Sequence, residues 1–144
     1  MRRAKRPSPT AAGAPLQGPA TDRLFVYGTL MRGFPLHNAL ADATRFVGVA
    51  WIHGRLVDLG SYPGAVPDAE GRVHGELYQV MRPEVWRALD YTEGPQYDRR
   101  ETTVRRRDGG GTSAFVYWYR GPLDRSVPIA GGDYRTHAPA RSIH

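Results

Sequence analysis

The chain of 144 residues contains no cysteine and carries a formal net charge of +6, with 20 Lys and Arg against 14 Asp and Glu. This length is typical of one domain that can bury an apolar core. The composition excludes disulfide bonds and thiolate chemistry. It also excludes a membrane-spanning helix, because charged residues, Gly or Pro interrupt every apolar run.

Residues 1–20 combine four basic residues with four prolines and have no hydrophobic periodicity. This pattern predicts a disordered basic extension, followed by a domain at residues 21–144. No apolar stretch follows the basic start, as a secretory signal would require, so we expect a cytoplasmic location. Residues 21–144 carry a net charge of only +2. Nucleic acid is therefore not favoured as the main partner, although the basic tail allows weak contacts.

The first strong structural signal is the run Leu-Phe-Val-Tyr at residues 24–27, followed by Gly28, Thr29 and Leu30. Aromatic and β-branched residues predict a buried strand. We expect Gly28 to end the strand in a conformation that other residues rarely adopt. The N–H groups that follow would then lack ladder partners and could converge on an anion such as a carboxylate. An ordinary strand-to-loop turn explains the same local pattern.

The next segments alternate between apolar runs and turn signals. Residues 35–41 predict a short helix with proline in its first turn. Residues 46–57 predict one long strand that bends at Gly48 and Gly54. Residues 60–64, Gly-Ser-Tyr-Pro-Gly, predict a turn.

The second half predicts further strands and one clear helix. Residues 71–80 have the character of a strand, and residues 83–93 that of an amphipathic helix. Strands are expected at residues 99–106 and 113–120, with the hairpin signal Asp-Gly-Gly-Gly at 108–111. Several strands with one main helix indicate an α+β fold, a small barrel or curled sheet.

Glu93 is the most informative single residue. It follows Val85 and Leu89 at intervals of four, so it continues the apolar stripe of the predicted helix. It also lies in the last turn, where the helix dipole disfavours negative charge. Burial and dipole both favour the protonated carboxyl group and should raise its pKa toward neutrality. Such a group can accept a proton and later donate one.

Other interpretations of the polar residues remain open. The helix can end before Glu93, which would then pair with Arg99 or Arg100 at the surface. Asp90 is a weaker candidate, because it falls on another side of the helix. The five histidines lack the spacing typical of metal-ligand pairs, so no metal site is predicted.

Four motifs occur in order along the chain and together resemble the gamma-glutamylcyclotransferase-like superfamily, especially its short bacterial members and the gamma-glutamylamine cyclotransferases. They cover residues 23–135. The motifs are Phe-Val-Tyr-Gly-Thr-Leu at 25–30, Gly-Ser-Tyr-Pro-Gly at 60–64, Leu-Asp-Tyr-Thr-Glu-Gly at 89–94 with Tyr-Asp-Arg at 97–99, and Gly-Asp-Tyr at 132–134.

The resemblance implies a small mixed-strand β-barrel with flanking short helices and a cavity for a gamma-glutamyl group. Glu93 would be the catalytic residue, in agreement with its position on the helix. The substrate-binding residues would be the following: Tyr27, Gly28, Thr29, Leu30, Tyr97 and Tyr117. No metal or organic cofactor is implied.

The implied reaction is acyl transfer by intramolecular aminolysis, in the lyase or transferase class. A gamma-glutamyl amide or peptide would cyclise to 5-oxoproline and release an amine, with Glu93 as general acid and base. The alternative is a non-catalytic module that binds a small carboxylate or gamma-glutamyl metabolite in the same cavity. Neither hypothesis requires a membrane, and the sequence fixes no oligomeric state.

Overall fold

A computed structural model of the protein describes residues 22–137. The predicted extension at residues 1–20 lies outside the described residues. The strands are β1 (Arg23–Val26), β2 (Thr44–His53), β3 (Arg55–Asp58), β4 (Pro63–Val66), β5 (Arg72–Val80), β6 (Tyr97–Arg106), β7 (Gly111–Tyr119) and β8 (Val127–Pro128). The helices are α1 (Asn38–Ala41), α2 (Val85–Glu93) and α3 (Tyr134–His137).

Five strands close into a barrel in the order β1-β5-β2-β6-β7. The pairs β1–β5, β5–β2, β2–β6 and β6–β7 are antiparallel, whereas β1 meets β7 in parallel, with Leu24 opposite Phe115. The predicted α+β fold, a small mixed-strand barrel with short helices, is therefore confirmed. The barrel core contains fully buried aliphatic side chains, including those of Leu24, Ile52, Val73, Leu77, Val104 and Val116.

The remaining strands form a second sheet in the order β4-β3-β8. The prediction of one strand over residues 46–57 is wrong, because the chain leaves the barrel at Gly54 and enters this sheet as β3. A Cβ atom at Gly54 would lie 3.1 Å from the Val66 carbonyl oxygen and 3.2 Å from the Trp118 and Val73 side chains. A side chain at this position would crowd the close approach between the two sheets, which favours glycine.

The two helices predicted from the sequence each begin two or three residues later in the structure. α1 begins at Asn38, and the preceding residues 34–37 form hydrogen-bonded turns. α2 begins at Val85, two residues after Pro83, and buries Val85 and Leu89. None of the helices within residues 22–137 combines the length and apolar character needed to cross a membrane.

Candidate functional site

Glu93 is the last residue of α2, and the structure extends the helix as far as the sequence predicted. Val85 and Leu89 are buried on the same side of the helix. Gly94 then ends the helix with a φ of 86°, and its N–H donates to the Asp90 carbonyl at 3.1 Å. This left-handed conformation favours glycine. The helix therefore fixes Glu93 at the end of an apolar stripe, where its side chain lines a cavity.

The Glu93 carboxyl group has no hydrogen-bond or ion-pair partner among residues 22–137. Burial raises its pKa from the ordinary value of 4.5 to about 7. The surface pairing with Arg99 or Arg100 is wrong, since both arginines bind other carboxylates. Arg99 donates to both Asp90 oxygens, at 2.9 and 3.0 Å, and Arg100 donates to Asp98 at 2.6 Å. Glu93 is thus a proton-accepting group that titrates near neutrality.

The loop after β1 lines the same cavity and turns its carbonyl groups toward the protein. The carbonyl of Gly28 accepts from the Met31 N–H, and that of Thr29 from the Leu36 N–H, both at 3.0 Å. The Leu30 carbonyl lies 3.0 Å from Nδ1 of His37. Within the described chain, the N–H groups of residues 28–30 find no acceptor. They remain available to an anionic or carbonyl group.

Gly28 serves a different purpose from the one predicted. Its φ is not positive, so the expectation of a conformation reserved for glycine is wrong. A Cβ atom here would instead lie 2.6 Å from Cγ of Pro63 on β4. Gly28 is therefore needed because the second sheet packs directly against the loop.

Three tyrosines complete the wall around Glu93. The hydroxyl of Tyr27 donates to the Tyr117 carbonyl at 2.6 Å and accepts from the Ala65 N–H at 3.1 Å. The hydroxyl of Tyr97 donates to the Pro63 carbonyl at 2.7 Å. That of Tyr117 donates to Oδ1 of Asp90 at 2.7 Å.

Burial raises the pKa of all three tyrosines, and the negative charge of Glu93 raises each one further. In Tyr117 the hydrogen bond to Asp90 and the charge of that carboxylate also contribute. The hydroxyl groups therefore stay protonated and lie within electrostatic reach of the Glu93 carboxylate.

The cavity has a volume of about 260 Å³ and is lined by all seven residues singled out from the sequence. The remaining lining residues were not predicted from the sequence to belong to the cavity: Phe25, Val26, Leu36, Tyr62, Pro63 and Thr92. Tyr62 and Pro63 belong to the Gly-Ser-Tyr-Pro-Gly motif, which was therefore the available signal. Tyr62 is 42% exposed and lies at the cavity mouth. Within residues 22–137, no three carboxylate or imidazole groups gather closely enough to hold a metal ion.

Comparison with known proteins gives one consistent family. The profile described as gamma-glutamyl cyclotransferase, AIG2-like, matches residues 24–136. The gamma-glutamylcyclotransferase family protein YtfP of Escherichia coli strain K12 is 33% identical over 114 residues, which are 78% of this chain and 95% of YtfP. The gamma-L-glutamyl-butirosin B gamma-glutamyl cyclotransferase of Niallia circulans is 38% identical over 106 residues, which are 67% of this chain and 65% of that protein.

Solved structures have the same fold. The crystal structure of PH0828 from Pyrococcus horikoshii matches with a TM-score of 0.64 and 30% identity, and covers 84% of this chain and 98% of PH0828. The crystal structure of an AIG2-like protein from Mus musculus matches with a TM-score of 0.59 and 28% identity, over 67% of this chain and 76% of the mouse protein. Sequence and structure therefore agree that the chain belongs to the gamma-glutamyl cyclotransferase, AIG2-like family.

Proposed function

We propose that this protein is a gamma-glutamylcyclotransferase that converts a gamma-glutamyl amide or peptide to 5-oxoproline and a free amine. The observation that carries the proposal is the placement of one unpaired, partly buried carboxyl group, that of Glu93, in a cavity that is also lined by residues 28–30, whose N–H groups are unpaired within the described chain. Membership of the family and the name of the Niallia circulans relative support this class of reaction.

The reaction requires a proton to leave the nucleophile and another to reach the leaving group. The α-ammonium group of the substrate gives a proton to the Glu93 carboxylate, and the free amine attacks the γ-carbonyl carbon. A C–N bond forms in the five-membered ring, and the original amide C–N bond breaks. Glu93 returns this proton to the departing nitrogen, then takes the second proton that the ring nitrogen loses as it becomes a lactam and passes it to the released amine, which leaves as an ammonium ion. A pKa of about 7 suits both steps.

The loop N–H groups and the shape of the cavity supply the remaining requirements. The N–H groups of residues 28–30 donate to the substrate carboxylate or to the oxyanion that develops on the γ-carbonyl oxygen. Because nucleophile and electrophile belong to one bound molecule, holding it in a bent conformation removes much of the entropic barrier to ring closure. A cavity of about 260 Å³ accommodates a folded gamma-glutamyl group, while the leaving amine extends toward Tyr62.

The proposal is tested by the Glu93→Gln variant, which keeps the shape of the side chain and removes the base. We expect release of 5-oxoproline from gamma-glutamyl amides and peptides to fall by about 10²–10⁴-fold, the usual contribution of a general acid and base. Glu84→Gln is the matched control, because Glu84 is exposed at the other end of α2 and should retain full activity.

Two outcomes would contradict the proposal. One is substantial 5-oxoproline release by a folded Glu93→Gln protein. The other is binding of gamma-glutamyl compounds by the wild-type protein without any product, which would favour a non-catalytic binding module in the same cavity.

A further inference from the structure

The hydroxyl group of Tyr117 donates its proton to a residue that does not line the cavity. Asp90 accepts it at 2.7 Å, while Arg99 holds the same carboxylate through two hydrogen bonds. Although burial opposes ionisation, the hydrogen bonds from Arg99 and Tyr117 hold the pKa of Asp90 below its ordinary value. An ionised carboxylate can only accept hydrogen bonds. Tyr117 must therefore act as the donor in this contact, and its oxygen can only accept a hydrogen bond from any further partner.

The hydroxyl group of Tyr97 also donates its proton to a protein acceptor. It donates to the Pro63 carbonyl at 2.7 Å, and a carbonyl oxygen has no proton to return. Tyr27 differs from these two residues, because its hydroxyl donates to one backbone group and accepts from another. Two tyrosine oxygens thus retain lone pairs that can accept hydrogen bonds, and both tyrosines line the cavity that Glu93 also lines.

The same cavity is also lined by residues that carry hydrogen-bond donors. There the N–H groups of residues 28–30 are donors without acceptors in the described chain. A ligand that carries both a carboxylate and an ammonium group matches this combination of donors and acceptors, because a carboxylate only accepts hydrogen bonds and an ammonium group only donates them.

We propose that Tyr97 and Tyr117 bind the substrate's α-ammonium group through their hydroxyl oxygens, and that Asp90 is a positioning residue that keeps Tyr117 in this acceptor state. The inference rests on the proposed function in taking a gamma-glutamyl group as the ligand. It adds a selection rule, since ligands that lack the α-amine gain nothing from these two oxygens.

The test compares two ligands that differ only in the α-amine, L-γ-glutamylethylamide and glutaric acid monoethylamide. Their dissociation constants are measured by calorimetry in the full-length Glu93→Gln protein, so that turnover does not consume the ligand. We expect Tyr117→Phe and Tyr97→Phe each to weaken binding of the amine-bearing ligand by about tenfold, the usual effect of one hydrogen bond to a charged group. Binding of the amine-free ligand should stay within about twofold of the parent protein. Tyr91→Phe is the matched control, because Tyr91 is 89% exposed on α2.

The role of Asp90 is tested by a double-mutant cycle. Asp90→Ala removes the acceptor, so that the Tyr117 hydroxyl group can turn its proton into the cavity. We expect binding of the amine-bearing ligand to weaken about three- to tenfold. If Asp90 acts only through that hydroxyl, the double variant Asp90→Ala/Tyr117→Phe binds as Tyr117→Phe alone does. The positioning role would be overturned if the affinity losses of the two single variants add up in the double variant. It would also be overturned if Asp90→Ala weakens binding of both ligands equally, since that is the result expected from a structural defect.

The two proposals fail in different ways. If the wild-type protein releases no 5-oxoproline but the tyrosine variants discriminate between the two ligands, the proposed catalysis fails and ammonium recognition stands. If the wild-type protein releases 5-oxoproline and the tyrosine variants weaken both ligands equally, catalysis stands and ammonium recognition is overturned.

Discussion

The position of Glu93 lowers the stability of the folded protein when its carboxyl group is ionised. Burial disfavours this charged form, which is the form that begins the proposed reaction. The native protein holds the proton up to a pKa of about 7, whereas the unfolded chain releases it near the ordinary value of 4.5. Between these values the native state binds more protons than the unfolded state. Wild-type stability therefore falls as the pH rises through this window and levels off above it.

The Glu93→Gln variant should escape this loss. We expect its free energy of unfolding, relative to wild type, to increase by at most about 3 kcal/mol between pH 4 and pH 8, at about 1.4 kcal/mol per unit of pKa difference. Urea denaturation of both proteins across this pH range measures the effect. Parallel stability curves would show that Glu93 titrates normally in the folded protein.

Gly28 offers a second prediction at the residue scale. Adding a methyl group there places a Cβ atom 2.6 Å from Pro63, so Gly28→Ala must displace the loop or β4. We expect a loss of about 1–3 kcal/mol in unfolding free energy, typical of overpacking, together with weaker substrate binding. Gly48→Ala is the control, because no atom lies within 4 Å of its added Cβ atom and its φ is not positive. Equal stability of the two variants, measured by denaturation, would contradict the packing role.

At the scale of elements, the loop after β1 is held from behind by a buried carboxylate on β5. Glu76 is only 3% exposed and accepts the Arg32 N–H at 3.0 Å and Nε of the same arginine at 3.2 Å. Its other contacts are with the Tyr78 hydroxyl and with Nη2 of Arg135 on α3, both at 2.9 Å. The helix α3 and the loop are thus tied to one strand through a single side chain.

Replacing this carboxylate should loosen the loop. We expect Glu76→Gln to destabilise the protein by about 1–3 kcal/mol, because the arginine donors lose a charged acceptor while buried partners stay behind. Amide hydrogen exchange at Arg32 should accelerate more than exchange in β6 and β7. Glu70→Gln is the control, because Glu70 is exposed. Unchanged exchange at Arg32 would show that Glu76 does not hold the loop.

Elements with a strong local pattern were predictable from the sequence, and those defined by distant partners were not. α2 follows from its apolar stripe, and the β6–β7 hairpin follows from its glycine turn. By contrast, β8 has only two residues and exists because Val127 and Pro128 pair with β3, about 70 residues earlier in the chain. β4 occupies part of a motif interpreted as a turn, since neither proline nor glycine favours a strand.

The candidate site divides in the same way. The position of Glu93 was predictable, because helical periodicity alone places it beside buried residues. The directions of the tyrosine hydroxyl bonds were not, because they depend on the Pro63 carbonyl and on the packing of α2 against β7. The need for glycine at position 28 was also not predictable, since it arises from the contact with Pro63, which is 35 positions away in the sequence.

At the scale of the whole molecule, the cavity belongs to neither sheet alone. The barrel supplies the loop after β1 and the side chains of Tyr97 and Tyr117, while the second sheet supplies Pro63 and the Ala65 N–H that fixes Tyr27. Two backbone groups of β4 therefore anchor two tyrosines of the barrel. The volume of the cavity depends on how the two sheets dock as well as on the residues that line it.

The parallel contact of β1 with β7 has a consequence for biosynthesis. Leu24 leaves the ribosome long before Phe115, with which it pairs to close the barrel. The strand β1 (Arg23–Val26) is therefore without one of its neighbours until β7 has been synthesised, and exposed strand edges are prone to aggregate. A chain without β7 has no closed barrel and lacks Tyr117, so its cavity is incomplete.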